Sequence, residues 1–138
     1  MRVVVDTNTI VSGLFWHGAP RRVLDAARTG RIQLFTSPVL LAELEDVLSR
    51  KKFAERCMLA QVTPHDLIIG YASLANLKTP LAIEPVILDD PDDDHVLACA
   101  LAVSATVIVS GDNHLLNLKS YQSIPILTAN DLLMIIPE

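Results

Sequence analysis

Asp6 follows three consecutive β-branched residues, Val3-Val4-Val5, and Asp112 follows Thr106-Val107-Ile108-Val109 after only Ser110-Gly111. A third group of acids is the run Asp89-Asp90-Pro91-Asp92-Asp93-Asp94, and a fourth is the pair Glu43 and Glu45, on opposite borders of an apolar stripe. Carboxylates without a cysteine or histidine partner at ligand spacing are the donor set of a hard divalent cation, Mg²⁺ or Mn²⁺, which prefers oxygen. Gathered without a cation they repel one another and lose charge as their pKa values rise. A cation removes that repulsion and neutralises charge developing on a phosphoryl oxygen, so phosphodiester hydrolysis is the reaction that best suits such a set.

These acids converge only if the elements before them lie side by side. Val3-Val4-Val5, Ile32-Gln33-Leu34-Phe35, Thr106-Val107-Ile108-Val109 and Ile124-Pro125-Ile126-Leu127 are short runs of the kind that form strands buried on both faces, as in a parallel sheet. Helices are expected between them. Pro20 opens one that Gly30 closes, and Ser37-Pro38 supply the N-cap and first-turn proline of another running through Arg50, with Leu40, Leu41, Leu44, Val47 and Leu48 on one face. Thr63-Pro64 open a third, and Asp90-Pro91 open the helix that carries Leu97, Ala98 and Leu101.

Strands alternating with helices, and no hairpin signal of the Asn-Gly kind, predict βαβ units. The expected fold is α/β, three layers with a central parallel sheet, as a single domain over residues 1–138. In such a sheet ligands bind beyond the carboxyl ends of the strands, where Asp6 and Asp112 fall. A rotation of about 100° per residue puts Asp93 and Asp94 on the side of Leu97 and Leu101, toward the sheet edge, and leaves Asp92 off it. Periodicity does not choose between Glu43 and Glu45.

Composition narrows the function classes. The chain has 138 residues, 51% hydrophobic, enough for one compact core, and its 4% aromatic content excludes a surface built on stacked rings. A net charge of −5 excludes a grip on nucleic acid by bulk charge, because phosphate binding needs a basic footprint. The charge is uneven: the first 56 residues hold nine Lys/Arg and six acids, the remainder two and ten. Cys57 and Cys99 lie far apart with no CxxC spacing, which argues against a disulfide framework or a zinc site and for buried thiols in a reducing compartment. The opening apolar run is too short for a signal-peptide core, and no segment approaches the ~20 apolar residues of a membrane span, so a cytoplasmic protein with no membrane partner is expected. No G-x-G-x-x-G turn follows a strand, which excludes dinucleotide binding.

Taken in order, a strand ending in Asp6-Thr7-Asn8, Glu43-Leu44 in the second helix, the Asp-rich run leading into Leu97-Ala98-Cys99-Ala100, and Ser110-Gly111-Asp112 followed by Leu115-Leu116 resemble a PIN domain over essentially the whole chain. The compact length and the Asp-rich run look more narrowly like bacterial and archaeal PIN proteins classed as toxins of toxin-antitoxin pairs. That resemblance implies a Mg²⁺- or Mn²⁺-dependent endoribonuclease, with RNA as substrate, 5′-phosphate and 3′-hydroxyl product ends, and a cognate antitoxin as protein partner. It also implies that Asp6, Glu43, Asp94 and Asp112 are the catalytic, metal-holding acids. Glu43 is preferred to Glu45 by the following Leu44 and its distance from Ser37. Asp94 is preferred to Asp93 because Asp94-His95-Val96-Leu97-Ala98 matches the family's Asp-x-x-apolar-Ala pattern. Asn8 and Ser110 match supporting polar positions, Ser110 keeping the hydroxyl of the family's frequent Thr, and Asp93 is a further supporting acid.

Each residue also has a plainer reading. Asp90 as N-cap, Pro91 in the first turn and Asp93 near the third position are ordinary helix capping. Asp6 alone reads as a turn residue, and Glu43 and Asp112 alone as surface acids. Arg50-Lys51-Lys52 with Arg56 read as a solvated helix C-terminus, which cations favour, or as a hold on RNA phosphates. His17, His65, His95 and His114 share no spacing and read as surface or capping residues, with His95 facing away from Leu97. Phe15-Trp16-His17-Gly18 read as partly buried against neighbouring helices.

Competing functions are a metal-dependent phosphatase or a phosphotransfer receiver, and a catalytically silent PIN-fold module that binds RNA or protein. Asn8 stands where the phosphatase would want a second Asp, and no acidic pair with a later Lys serves a receiver. A homodimer is expected to pair the basic segments, with the Thr63-Pro64 helix and its Leu67, Ile68 and Tyr71 as the buried face.

Overall fold

The computed structural model describes residues 1–83, 86 and 93–136. Among these residues six strands form one sheet, β1 (Arg2–Val5), β2 (Gln33–Thr36), β3 (Asn76–Leu77), β4 (Val107–Val109), β5 (Ser120–Tyr121) and β6 (Ile124–Leu127), in the order β3-β2-β1-β4-β6-β5. All pairs are parallel except β5 with β6. Eight helices lie around it among the described residues: α1 (Thr7–Phe15), α2 (Ala19–Arg28), α3 (Pro38–Leu48), α4 (Lys51–Leu59), α5 (Pro64–Leu74), α6 (Asp93–Ala102), α7 (Asn113–Leu116) and α8 (Ala129–Ile135). This is the α/β architecture with a central, mostly parallel sheet that the alternation of elements predicts.

The two-residue period of the strands divides the core. Val3, Val5, Val107 and Val109 pack on one face with Ile10 of α1, Val23 and Leu24 of α2 and Leu132 of α8. Val4 and Ile108 pack on the other with Val96, Leu97 and Ala100 of α6 and Leu115 of α7. Helices α1 and α2 approach so closely that a Cβ on Gly13 would stand 2.8 Å from Leu24 Cδ1 and 2.9 Å from the Pro20 carbonyl oxygen. Arg21 ties the same corner, donating to the carbonyls of Gly13 (2.7 Å) and Leu14 (3.0 Å) at the end of α1. Cys57 and Cys99 are free and buried, and burial raises both thiols, Cys99 to about 11.

Several expectations are corrected. The helix opened by Ser37 stops at Leu48 rather than running through Arg50: the Ser49 hydroxyl donates to the Glu45 carbonyl (2.8 Å), and Arg50 N–H reaches back only to Val47 (3.1 Å). Arg50 is the N-cap of α4, so Lys51 and Lys52 occupy a helix N-terminus, the end whose dipole disfavours cations. A hairpin is present after all. Gln122 and Ser123 connect β5 to β6 with φ of 49° and 66°, a turn with two left-handed residues that holds neither Gly nor Asn and so left no sequence signal; Lys119, just before β5, is also left-handed, with φ 62°.

The face nominated for dimerisation is turned inward. Tyr71 is buried, and Leu67 and Ile68 pack against the first core cluster, while Ile69 is the exposed apolar residue of α5. Asp89, Asp90, Pro91 and Asp92, including the expected N-cap, lie outside the described residues.

Candidate active site

Strand register brings the first two acids together. Val5 of β1 pairs with Val109 of β4, and the Asp6 N–H donates to the Val109 carbonyl (3.0 Å), so Asp6 and Ser110 leave the sheet side by side. Asp6 is buried and caps α1: one carboxylate oxygen accepts the Thr9 N–H (2.9 Å), the other the Ser110 hydroxyl. Ser110 Oγ in turn accepts the Asp112 N–H (2.9 Å). Asp112 caps α7 through the His114 N–H (2.7 Å). One hydroxyl therefore links the Asp6 carboxylate to the Asp112 backbone.

The helices bring the rest. A cavity of about 530 Å³ opens over the carboxyl edge of the sheet, and Asp6, Asn8, Glu43, Asp93, Asp112 and Arg50 are in its wall, with Asp46 and His95. Glu43, not Glu45, reaches it; Glu45 is turned elsewhere on α3. Asn8 and the strand-end acids Asp6 and Asp112 also line an adjoining cleft of about 330 Å³.

At α6 the geometry separates the two neighbouring aspartates. Asp93 is buried and lines the cavity, whereas Asp94 does not line it, and its Oδ2 accepts the backbone N–H of Val86 (3.1 Å). Asp93 is buried on α6 with Val96, Leu97, Ala98, Cys99 and Ala100, while Leu101, with which periodicity aligns both aspartates, is 42% exposed. Of the two aspartates, the one read from the sequence as a supporting acid, Asp93, is therefore the one in the cavity wall.

Two histidines that sequence reasoning set aside lie beside the acids: His95 in the cavity wall, and His114 next to Asp93 and Asp112. His95 Nδ1 is hydrogen-bonded to Glu43 Oε1 across the cavity wall, and His114 Nδ1 lies 3.7 Å from Asp112 Oδ1 and 4.0 Å from Asp93 Oδ2. Asp93, Asp112 and His114 can each offer a donor atom within 4.8 Å of the others. Carboxylates on a water-accessible cavity fit the oxygen preference of a divalent cation.

Of the basic residues, Arg50 lines the cavity and pairs with Asp46 (3.5 Å). Lys52 lies over the Phe53 ring at 4.8 Å, and Arg56 over Trp16 at 4.4 Å. Trp16, 42% exposed, and Phe15 pack edge-on, and Phe15 stacks on Phe53.

A family model for the PIN domain matches residues 2–114. The chain belongs to the PIN domain family. No curated protein and no solved structure gives a significant match. PIN domains have a nuclease-like fold and are in general metal-dependent nucleases that act on RNA. The PIN match ends at His114, and the described chain beyond it completes the layers: β6 pairs with β4, and α8 packs on α2. No helix among the described residues is long and apolar enough to cross a membrane.

Proposed function

We propose that this PIN domain is an endoribonuclease dependent on Mg²⁺ or Mn²⁺, acting in the cytoplasm as one unit over residues 1–138, and that it is the toxin of a type II toxin-antitoxin pair. The observation that carries the enzymatic reading is the convergence of Asp6, Glu43, Asp93 and Asp112 on one cavity beyond the strand ends. These four acids hold the cation, Asp93 taking the place first given to Asp94. When bound, the cation supplies Lewis-acid stabilisation of the charge that develops on the scissile phosphate.

The chain's own residues supply the rest. Ser110 fixes Asp6 and Asp112 relative to each other, and His95 holds Glu43 against the cavity wall. Asn8, shared by both clefts, supports solvent at the acids. Arg50 offers a cation inside an otherwise acidic wall, and Lys51, Lys52 and Arg56 continue that charge along α4 as the path of the RNA backbone. Two lysines at a helix N-terminus are electrostatically unfavourable by themselves, and an RNA phosphate beside them offsets that repulsion.

Incubation with RNA in Mg²⁺ or Mn²⁺, with an Asp6→Asn control, tests the enzymatic reading. Cleavage to 5′-phosphate and 3′-hydroxyl ends that excess EDTA abolishes is expected. Cyclic phosphate ends, or cleavage that survives EDTA, would refute it. The toxin role rests on the Asp-rich run of the PIN domain, and is tested by co-expression with the product of the adjacent reading frame, which should suppress toxicity. A homodimer belongs to the same reading, with exposed apolar residues such as Met58 and Leu59 of α4 in place of the buried face of α5. Light scattering across a dilution series checks it, and a monomer at high concentration defeats it.

A further inference from the structure

We propose that His114 donates an imidazole nitrogen to the cation held by Asp93 and Asp112, making a mixed oxygen–nitrogen site that selects Mn²⁺ over Mg²⁺. The inference rests on the cavity being a metal centre and adds a ligand, and a choice of metal, that the four acids do not specify. His114 Nδ1 stands 3.7 Å from Asp112 Oδ1 and 4.0 Å from Asp93 Oδ2. Both separations exceed a hydrogen bond, so the ring nitrogen faces the two carboxylates across a gap instead of closing on either. Around an octahedral ion with ligands at about 2.1 Å, neighbouring donors stand ~3 Å apart and opposite donors ~4 Å apart. Three donor atoms that all lie within 4.8 Å of one another need only small side-chain adjustments to share one such ion.

The local fold holds this arrangement. Asp112 caps α7 by accepting the His114 N–H at 2.7 Å, which places carboxylate and imidazole on one turn. Leu115, the next residue, is fully buried and anchors that turn against the second core cluster. Asp93 arrives from α6, whose Val96 and Leu97 belong to the same cluster. His95 is bonded to Glu43 through Nδ1, and its donor atoms do not gather with those of Asp93 and Asp112 as His114 does.

An imidazole changes which cation the site prefers. Mg²⁺ takes oxygen donors, keeps its waters and gains little from nitrogen, whereas transition ions gain from imidazole. Acids joined by a histidine therefore favour Mn²⁺ where acids alone would serve both.

Electron spin echo spectroscopy of Mn²⁺ bound to the full chain reads the ligand directly, alongside Mn²⁺ and Mg²⁺ titrations. A nitrogen coupling is expected in the wild type and in His95→Gln, and is expected to vanish in His114→Gln. That variant should still bind Mn²⁺, about tenfold more weakly, with Mg²⁺ affinity changed by less than about twofold. Bound Mn²⁺ without nitrogen coupling in the wild type, or coupling that persists in His114→Gln, overturns the role of His114 and leaves the acidic metal centre standing. A wild-type chain that binds no Mn²⁺ overturns both.

Discussion

The acids at the strand ends and the acids on the helices reach the same cavity by different means. Asp6 and Asp112 each cap a helix with a backbone N–H and are joined through Ser110, so their positions follow from the register of β1 against β4. Glu43 and Asp93 come from α3 and α6, whose positions depend on side-chain packing, and Glu43 is held by His95, which lies 52 positions further along the chain. Strand-end acids are placed by the backbone and helix acids by their neighbours. Substitution in the first class should remove chemistry and leave the fold, while substitution in the second should separate adjacent residues from one another.

The sharpest break is Asp6→Asn. Asparagine still caps α1, so the melting temperature should change little, whereas cation affinity and RNA cleavage should fall by at least about a hundredfold. Matched calorimetric titration and thermal melts check both halves, and a large loss of stability would show that Asp6 is structural. Next comes the pair Asp93→Asn and Asp94→Ala. The first should cost about as much cleavage as Asp6→Asn. The second should leave cleavage intact and lose about 1 kcal/mol of stability with the Val86 hydrogen bond. The reverse result would return the catalytic role to Asp94.

Ser110→Ala removes the hydroxyl shared by the two strand-end acids, and roughly tenfold weaker cation binding is expected from titration. His95→Ala should be milder, because Glu43 keeps its place on α3 while losing the partner that orients it; KM for RNA should move less than the cation concentration giving half-maximal cleavage. The smallest expected effect is that of Arg50→Glu/Lys52→Glu in high salt. At low salt RNA binding should weaken, and the slope of log affinity on log salt should fall by about one for each phosphate that α4 no longer neutralises. An unchanged slope would remove α4 from the RNA path.

The strand framework and the acids that follow it were legible because β-branched runs ending in a polar residue have few other readings. Glu43 needed the family resemblance, since its helix stripe alone allowed Glu45. Periodicity puts Asp93 and Asp94 on one side of α6, and only the family pattern ranks Asp94 first with Asp93 in support; which of the two lines the cavity depends on how α6 is seated, and that has no local spacing. The break between α3 and α4 turns on a single serine bonding to its own helix, which leaves hydrophobic periodicity unaltered. The left-handed Gln122 and Ser123 were invisible because neither residue type favours that conformation. His95 and His114 could be placed only once α3, α6 and the end of β4 were known to meet, a fact of tertiary packing with no local spacing to announce it.

The two ends of the sheet bear on how this chain can be seized by another. Its outermost strands, β3 and β5, are two residues long, and β5 is flanked by left-handed Lys119 and Gln122, which turn the backbone out of the extended conformation on both sides. A segment offered as an additional strand would find only about two main-chain hydrogen bonds at either margin before the template ran out. Self-templated stacking into fibrils is discouraged by the same truncation. Among the described residues, the sheet margins thus offer little main-chain complementarity, while the helices and clefts offer side chains, whose specificity lies in residue identity.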